Sequence, residues 1–209
     1  MKLSLFLAVP LLWAVRSEAL LGQVKNSLPV PEQQKIGMIE KAGGRVMAIA
    51  QNDNRLEVDF HLEGSDVTDQ SLVGLEGLKN IYSLNLGKTK ITDAGLIHLE
   101  GLTALNRLYL QETKITDKGL VHLKNLRNLT YLNLYGTAIT DQGLENLSAL
   151  SNLKNVYLWQ TKVTESGINK LKKNLPNVSL VTGWDQDQKK QISGRSVREP
   201  RLSYLRIMK

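Results

Sequence analysis

The stretch from Ile91 to Lys114 reads ITDAGLIHLEGLTALNRLYLQETK, and two periods share it. Its second half alternates, so Leu108 and Leu110 fall on one side of an extended chain while Arg107, Tyr109 and Gln111 fall on the other. Its first half spaces Leu96, Leu99 and Leu102 by three, which suits a short helix. Thr92 stands where a helix takes its N-cap, and Asp93 where the helix dipole favours negative charge. Strand, turn and helix thus follow one another within 24 residues.

Working outward, the same unit returns. Thr68-Asp69, Thr92-Asp93, Thr116-Asp117, Thr140-Asp141 and Thr164-Glu165 are separated by steps of 24 residues. The pairs Phe60/Leu62, Leu84/Leu86, Leu108/Leu110, Leu132/Leu134, Val156/Leu158 and Leu180/Thr182 keep the same step. A recurrence at fixed period is the signature of a repeat architecture in which no unit buries its apolar face alone. The expectation is a right-handed solenoid with one strand and one short helix per turn, its leucines stacked into a single core. Gly95, Gly119, Gly143 and Gly167 recur at the strand-to-helix turn, where a missing Cβ relieves crowding.

The pattern L-x-x-L-x-L-x-x-T-x-I, with Ser65, Thr89, Thr113, Thr137 and Thr161 at its polar position, resembles the leucine-rich repeat proteins. It is most similar to exported bacterial versions with T-x-[IV]-T-D-x-G-L units, over roughly residues 56–184. The resemblance implies an α/β leucine-rich repeat solenoid with parallel strands on a concave face and short helices on a convex face. Many members carry Asn at the polar position, bonded to neighbouring coils. A hydroxyl satisfies fewer groups than an amide, so a weaker or locally reshaped ladder is expected. The fold hosts receptors, adaptors and inhibitors alike and does not by itself fix a function.

The ends differ from the repeats. Lys2, an apolar run from Leu3 to Val15 and the small residues Ser17 and Ala19 follow the order of a secretory signal peptide over residues 1–19, and the run is too short to span a bilayer. Residues 20–31 read as a linker, and residues 32–55 as an N-terminal cap of one helix and a hairpin strand. Residues 56–184 form about six coils. Near their end Asn174 and Asn177 occupy leucine positions while Leu175 and Val178 supply the bulk, which predicts a longer last helix and a last strand near Ser179 to Thr182. Residues 185–209 are a basic tail, expected to be disordered. It carries seven basic side chains against Asp185, Asp187 and Glu199, more than half of the net charge of +7, so the repeat body is close to neutral and no nucleic acid is expected on it.

Chemistry is sparse. The 209 residues contain no Cys and only three His, which excludes disulfides, thiolate metal sites and a Cys nucleophile. His98 and His122 share one helical position on successive coils without a third ligand, and His61 reads as a surface residue between Asp59 and Glu63. The row Asp69, Asp93, Asp117, Asp141 and Glu165 lies at helix starts, where capping accounts for it better than calcium, whose sites need six or more oxygens. No catalytic residue, metal or cofactor is expected.

The outward strand positions are informative. They read Asp59, His61, Glu63; Ser83, Asn85, Gly87; Arg107, Tyr109, Gln111; Tyr131, Asn133, Tyr135; Asn155, Tyr157, Trp159. Five aromatics gather on three consecutive coils of a chain that is 5% aromatic, at positions facing away from the leucines. Tyr, Trp and Arg often dominate interface energetics. The expectation is a non-enzymatic, exported, monomeric module, secreted or periplasmic, that binds a protein or peptide through Arg107, Tyr109, Glu112, Tyr131, Asn133, Tyr135, Asn155, Tyr157, Trp159 and Gln160. Carbohydrate is the alternative ligand, since Tyr and Trp stack on sugar rings. An intracellular substrate adaptor is a third reading, opposed by the signal peptide. Intact-mass measurement of secreted protein should show loss of residues 1–19; a full-length mature chain in the cytosol contradicts export.

Overall fold

The computed structural model describes residues 19–50, 53–61 and 66–183. Seven strands form one sheet in chain order: β1 (Arg45–Ala48), β2 (Leu56–Asp59), β3 (Ile81–Asn85), β4 (Arg107–Tyr109), β5 (Tyr131–Asn133), β6 (Asn155–Tyr157) and β7 (Ser179–Val181). β1 runs antiparallel to β2, and every later pair is parallel. A parallel neighbour needs a crossover, and each crossover here carries a short helix. These are 3-10 helices at Asp69–Leu75, Asp93–Leu99 and Gly119–Leu123, then α-helix at Asp141–Glu145 running into a 3-10 turn, and finally the ten-residue α-helix Glu165–Asn174.

Between strands and helices lies one continuous apolar core. A typical coil contributes Leu96, Leu99, Leu102, Leu105, Leu108, Leu110 and Ile115, all fully buried. In the last coil Leu175 and Val178 are buried where Asn174 and Asn177 are exposed, so the apolar positions have slipped by one residue as the helix lengthens.

Three local readings are revised. First, the stretch 20–31, read as a linker, is helical over residues 19–27, and a second helix, Val30–Lys41, begins within it. Val24 is buried with Leu21 and Leu28 against the core, so apolar residues that looked dispersed in a polar segment serve the cap. Second, the first rung is displaced. Val58 and Asp59 pair with Leu84 and Asn85, a step of 26 rather than 24; Leu56 pairs with Ile81, and a β-bulge between Leu56 and Glu57 adds the last residue of the displacement. Glu57 and Asp59 therefore hold the outward positions given to Asp59 and His61, while Phe60 fills core beyond the strand, where Gly44 leaves room for its ring. Third, the acidic row does more than cap helices. Each aspartate of the row is bonded by the next coil: Asp69 accepts from the N–H and hydroxyl of Thr92, Asp93 from those of Thr116, Asp117 from those of Thr140 and Asp141 from those of Thr164, all at 2.5–2.8 Å.

The recurring glycines follow from this bridge. A Cβ on Gly95, Gly119, Gly143 or Gly167 would stand 2.2–2.5 Å from Oδ1 of the preceding coil's aspartate, inside contact distance. Beside each bridge a backbone bond also joins coils, from Lys90, Lys114, Ala138 and Lys162 N–H to the carbonyls of Val67, Ile91, Ile115 and Ile139. The polar-position threonines act within their own coil, since Thr89, Thr113, Thr137 and Thr161 each donate to the carbonyl three residues back at 2.6–2.7 Å. The ladder is thus locally reshaped; Ser65 and Glu63 lie outside the described residues, as do the signal segment 1–18 and the tail from residue 184.

Replacing Gly143 by Ala drives Asp117 off Thr140, and a loss of about 1–3 kcal/mol is expected in a denaturant melt, the range for a strained, unmade charged bond. Asp117→Ala and Thr140→Ala should each destabilise, and the double variant should lose less than their sum; strict additivity would mean that the bridge carries no coupling. Acid provides a second check. Hydrogen bonds from the Thr164 hydroxyl, then the Thr164 and Gly167 N–H groups, hold the Asp141 carboxyl below its ordinary value of 3.8. A depressed folded-state value means that the stabilisation is present above the unfolded value and is lost as pH falls through the folded one. Asp141→Asn should lower stability at neutral pH and flatten the acid limb below roughly pH 4.

Candidate functional site

Strand register sets two rows of side chains on the face opposite the leucines. One row runs Glu57, Ser83, Arg107, Tyr131, Asn155, Ser179; the other runs Asp59, Asn85, Tyr109, Asn133, Tyr157, Val181. Strand alternation sends Leu108, Leu132 and Val156 inward between them, so the rows stay on one face. Each strand then ends in a turn whose left-handed residue recurs coil after coil: Lys88, Glu112 and Gln160 at φ 55–59° and Gly136 at 67°. Their N–H groups extend the ladder past the strands, Lys88 to Gln111, Glu112 to Tyr135 and Gly136 to Trp159 carbonyls. Glu112 and Gln160 therefore project from an ordered rim.

The aromatics form two groups. Tyr131 leans between its neighbours, with ring centroids 4.9 Å from Tyr109 and 5.2 Å from Tyr157 and each pair tilted by 42°. Arg107 lies 5.6 Å over the Tyr131 ring, within cation–π reach. Tyr135 and Trp159 pair separately at 5.4 Å. The four tyrosines are half-buried and Trp159 is 52% exposed, so their rings stand partly in solvent. Burial pushes the Tyr131 phenol well above the ordinary tyrosine range, helped by its hydrogen bond with Tyr157, and burial raises Tyr109 as well. These hydroxyls stay protonated at neutral pH and serve as neutral donors and acceptors.

Asn133 sits between the two groups, two residues from Tyr131 and two from Tyr135. Its Oδ1 accepts from the Tyr135 N–H at 3.0 Å, and Asn85 does the same for Gly87 at 3.1 Å. Arg107, Glu112, Trp159 and Gln160 are exposed, and Asn155 is half-buried beside them. All ten expected residues thus share one face and its rim. Gln111 does not join them: it is buried, its amide occupies the space a Cβ on Gly87 would fill, and its Oε1 lacks a hydrogen-bond partner. Glu57 was the part missed. The displaced first rung brings Glu57 and Asp59 into register with this face, where their charges also raise the Tyr109 phenol. Glu57 accepts from the Ser83 hydroxyl at 3.2 Å. The 26-residue spacing concealed it, since a strict 24-residue period places other residues there.

The helical side presents coil-to-coil hydrogen bonds between glutamate and histidine instead. Glu76 bonds His98 at 2.6 Å and Glu100 bonds His122 at 2.7 Å, each histidine held by the coil before it. His61 turns its Nδ1 to the Gly87 carbonyl at 3.0 Å. Among the described residues no three His, Asp or Glu side chains converge as metal ligands, and no helix is long and apolar enough to cross a membrane.

A family model described as a leucine-rich repeat matches residues 125–148, a stretch that contains β5 and the helix Asp141–Glu145. Among solved structures, internalin C2 from Listeria monocytogenes is similar at 32% identity and TM-score 0.41, over 52% of this chain and 46% of that one. The chain spans about half the length of that relative. The leucine-rich repeat ectodomain of the receptor kinase SOBIR1 from Arabidopsis thaliana is similar at 13% identity and TM-score 0.48, over 74% of this chain and 92% of that one. A second Listeria internalin, inlF, is similar at 21% identity and TM-score 0.34, over 52% and 43% of the two chains. A search of curated proteins returns no match.

Proposed function

We propose that this chain of leucine-rich repeats is a non-enzymatic binding module that takes a protein or peptide on the open face of its strands. The observation that carries the reading is the aromatic grouping. Tyr109, Tyr131, Tyr135, Tyr157 and Trp159 lie on β4 to β6 and their following turns, outside the core, in two contacting groups, with Arg107 over Tyr131. Packing does not require them there, because the leucines already fill the interior. A contiguous aromatic surface on a water-soluble face has a hydrophobic cost that binding relieves. Arg107, Glu112, Asn133, Asn155 and Gln160 supply the polar contacts that orient a ligand.

Export belongs to the same proposal. Residues 1–19 act as a cleaved signal peptide, the cap and solenoid from residue 20 to 184 act as one monomeric binding unit outside the cytoplasm, and residues 185–209 form a basic tail that does not contribute to it. Carbohydrate remains the second ligand class, favoured by the exposure of Trp159 alone.

Partners captured by crosslinking from the envelope and medium should depend on the strand face. In titrations against a captured partner, Tyr135→Ala and Trp159→Ala should each remove about 2 kcal/mol or more of binding free energy, as interface hot spots do, while leaving the melting transition in place. Charge reversal at Lys124 and Lys172, exposed on the helical side, should alter affinity by only about a few tenths of a kcal/mol. The opposite ranking would return the tyrosines to surface cover.

A further inference from the structure

The row Asp59, Asn85, Tyr109, Asn133, Tyr157, Val181 has a period of its own. Over β2 to β6 its members alternate between two kinds, with Asp59, Tyr109 and Tyr157 on every second strand and an asparagine between each pair. Two strand spacings measure about 9.6 Å. One turn of a polyproline II helix, three residues at 3.1 Å, measures about 9.3 Å. A peptide in that conformation, laid across the strands, would meet Asp59, Tyr109 and Tyr157 with residues i, i+3 and i+6, and drift by less than an ångström over its length.

The chemistry along the row fits the same occupant. Polyproline II has no internal hydrogen bonds, so its carbonyls need donors from outside. Asn85 and Asn133 commit Oδ1 to their own turns, and among the described residues neither Nδ2 is bonded to the protein, which leaves N–H donors between the aromatic contacts. The Tyr109, Tyr131 and Tyr157 rings form one wall and Tyr135 with Trp159 the other, with Asn133 between them. Tilted rings make ridges rather than the flat platform a sugar ring requires, and aromatic-lined grooves are the usual docks for proline-rich segments. The charge is polar along the row: Glu57 and Asp59 stand on β2, and Arg107 stands two strands away over Tyr131. A basic side chain is favoured at the β2 end and disfavoured in the middle of the row, beside Arg107, while the β6 end carries no acidic partner for it.

We infer that the strand face binds a proline-rich peptide in polyproline II conformation, running across β2 to β6, with a basic residue over Glu57 and Asp59 and prolines three and six positions on against Tyr109 and Tyr157. This rests on the protein-binding reading and specifies its ligand.

The test is calorimetric titration of the full chain with the synthetic peptide acetyl-Arg-Ala-Pro-Pro-Ala-Pro-Pro-amide. Binding is expected, with a loss of about tenfold or more when Tyr157 is replaced by Ala and little loss with Tyr157→Phe, which keeps the ring. Glu57→Gln should weaken the arginine peptide by about threefold or more at low salt and leave a norleucine version unchanged. Moving the arginine to the other end should weaken binding about as much as Glu57→Gln does, and exchanging the prolines for glycine should abolish detectable binding. A melting curve on each variant separates lost binding from lost fold. Equal binding of the glycine peptide, or no binding of the proline peptide, overturns the inference. A random peptide display selection then distinguishes the two levels. Binders that need Tyr157 but lack the proline spacing leave the protein-binding reading standing, whereas Tyr157-dependent binding found only on a glycan array removes both.

Discussion

An aspartate on one coil whose carboxylate is filled by the threonine of the next sets the step of this solenoid. The bridge has two donors, an amide and a hydroxyl on the same residue, so it fixes both the spacing and the rotation of the incoming coil. Leucine stacking supplies the bulk of the stabilisation, but it is non-directional and tolerates sliding. The carboxylate does not, because a one-residue slip would leave a charged acceptor without partners. Glycine two residues after the aspartate is the steric condition of the arrangement, since the preceding coil's Oδ1 occupies the place of its Cβ. Aspartate, threonine and glycine are therefore three parts of one contact, repeated four times.

The two ends show what happens when that contact has only one side. At the first coil no earlier aspartate among the described residues reaches Thr68, and its N–H is bonded instead by the Ser71 hydroxyl at 3.2 Å. Upstream, the sheet turns antiparallel through β1, and the helix Val30–Lys41 buries Ile36 and Ile39 over the core. At the last coil Glu165 holds the aspartate position, and the helix that follows is the longest after the cap. Its extra turn brings Leu171 and Leu175 across the final layer, and β7 closes the sheet.

Register at the corner governs the opposite face. With each coil held in step, outward strand residues align into rows to within one hydrogen-bond pair, and side chains 24 residues apart in sequence become neighbours about 5 Å apart. That is close enough for Tyr131 to fill the gap between Tyr109 and Tyr157 and for Arg107 to cover its ring. The outward positions are free of the core's volume constraints, so they vary from coil to coil while the inward ones remain Leu, Ile or Val. The proposed binding surface and the scaffold are thus written on alternate residues of the same strands.

The repeat period, the inward leucines and the outward placement of Tyr109, Tyr131, Tyr135, Tyr157 and Trp159 were legible in the sequence because they depend on local periodicity alone. Alternation in a strand is a property of the backbone, and a 24-residue recurrence needs no three-dimensional information to be counted. The partner of each aspartate was not legible, since helix capping within the coil and bridging between coils ask for the same residue at the same place; only the stacked coils show the Thr116 hydroxyl and amide meeting Asp93. The same holds for residues 19–27, whose helix forms where Val24 can be buried, and for Gln111, which folds back over Gly87 instead of facing outward. The shift of the first rung by two residues, which brings Glu57 and Asp59 beside the tyrosines, is set by the pairing of β2 with β3, where a bulge adds one residue and Phe60 is buried beyond the strand. Local periodicity fixes which side a residue faces; the contacts between coils decide which residues stand next to each other there.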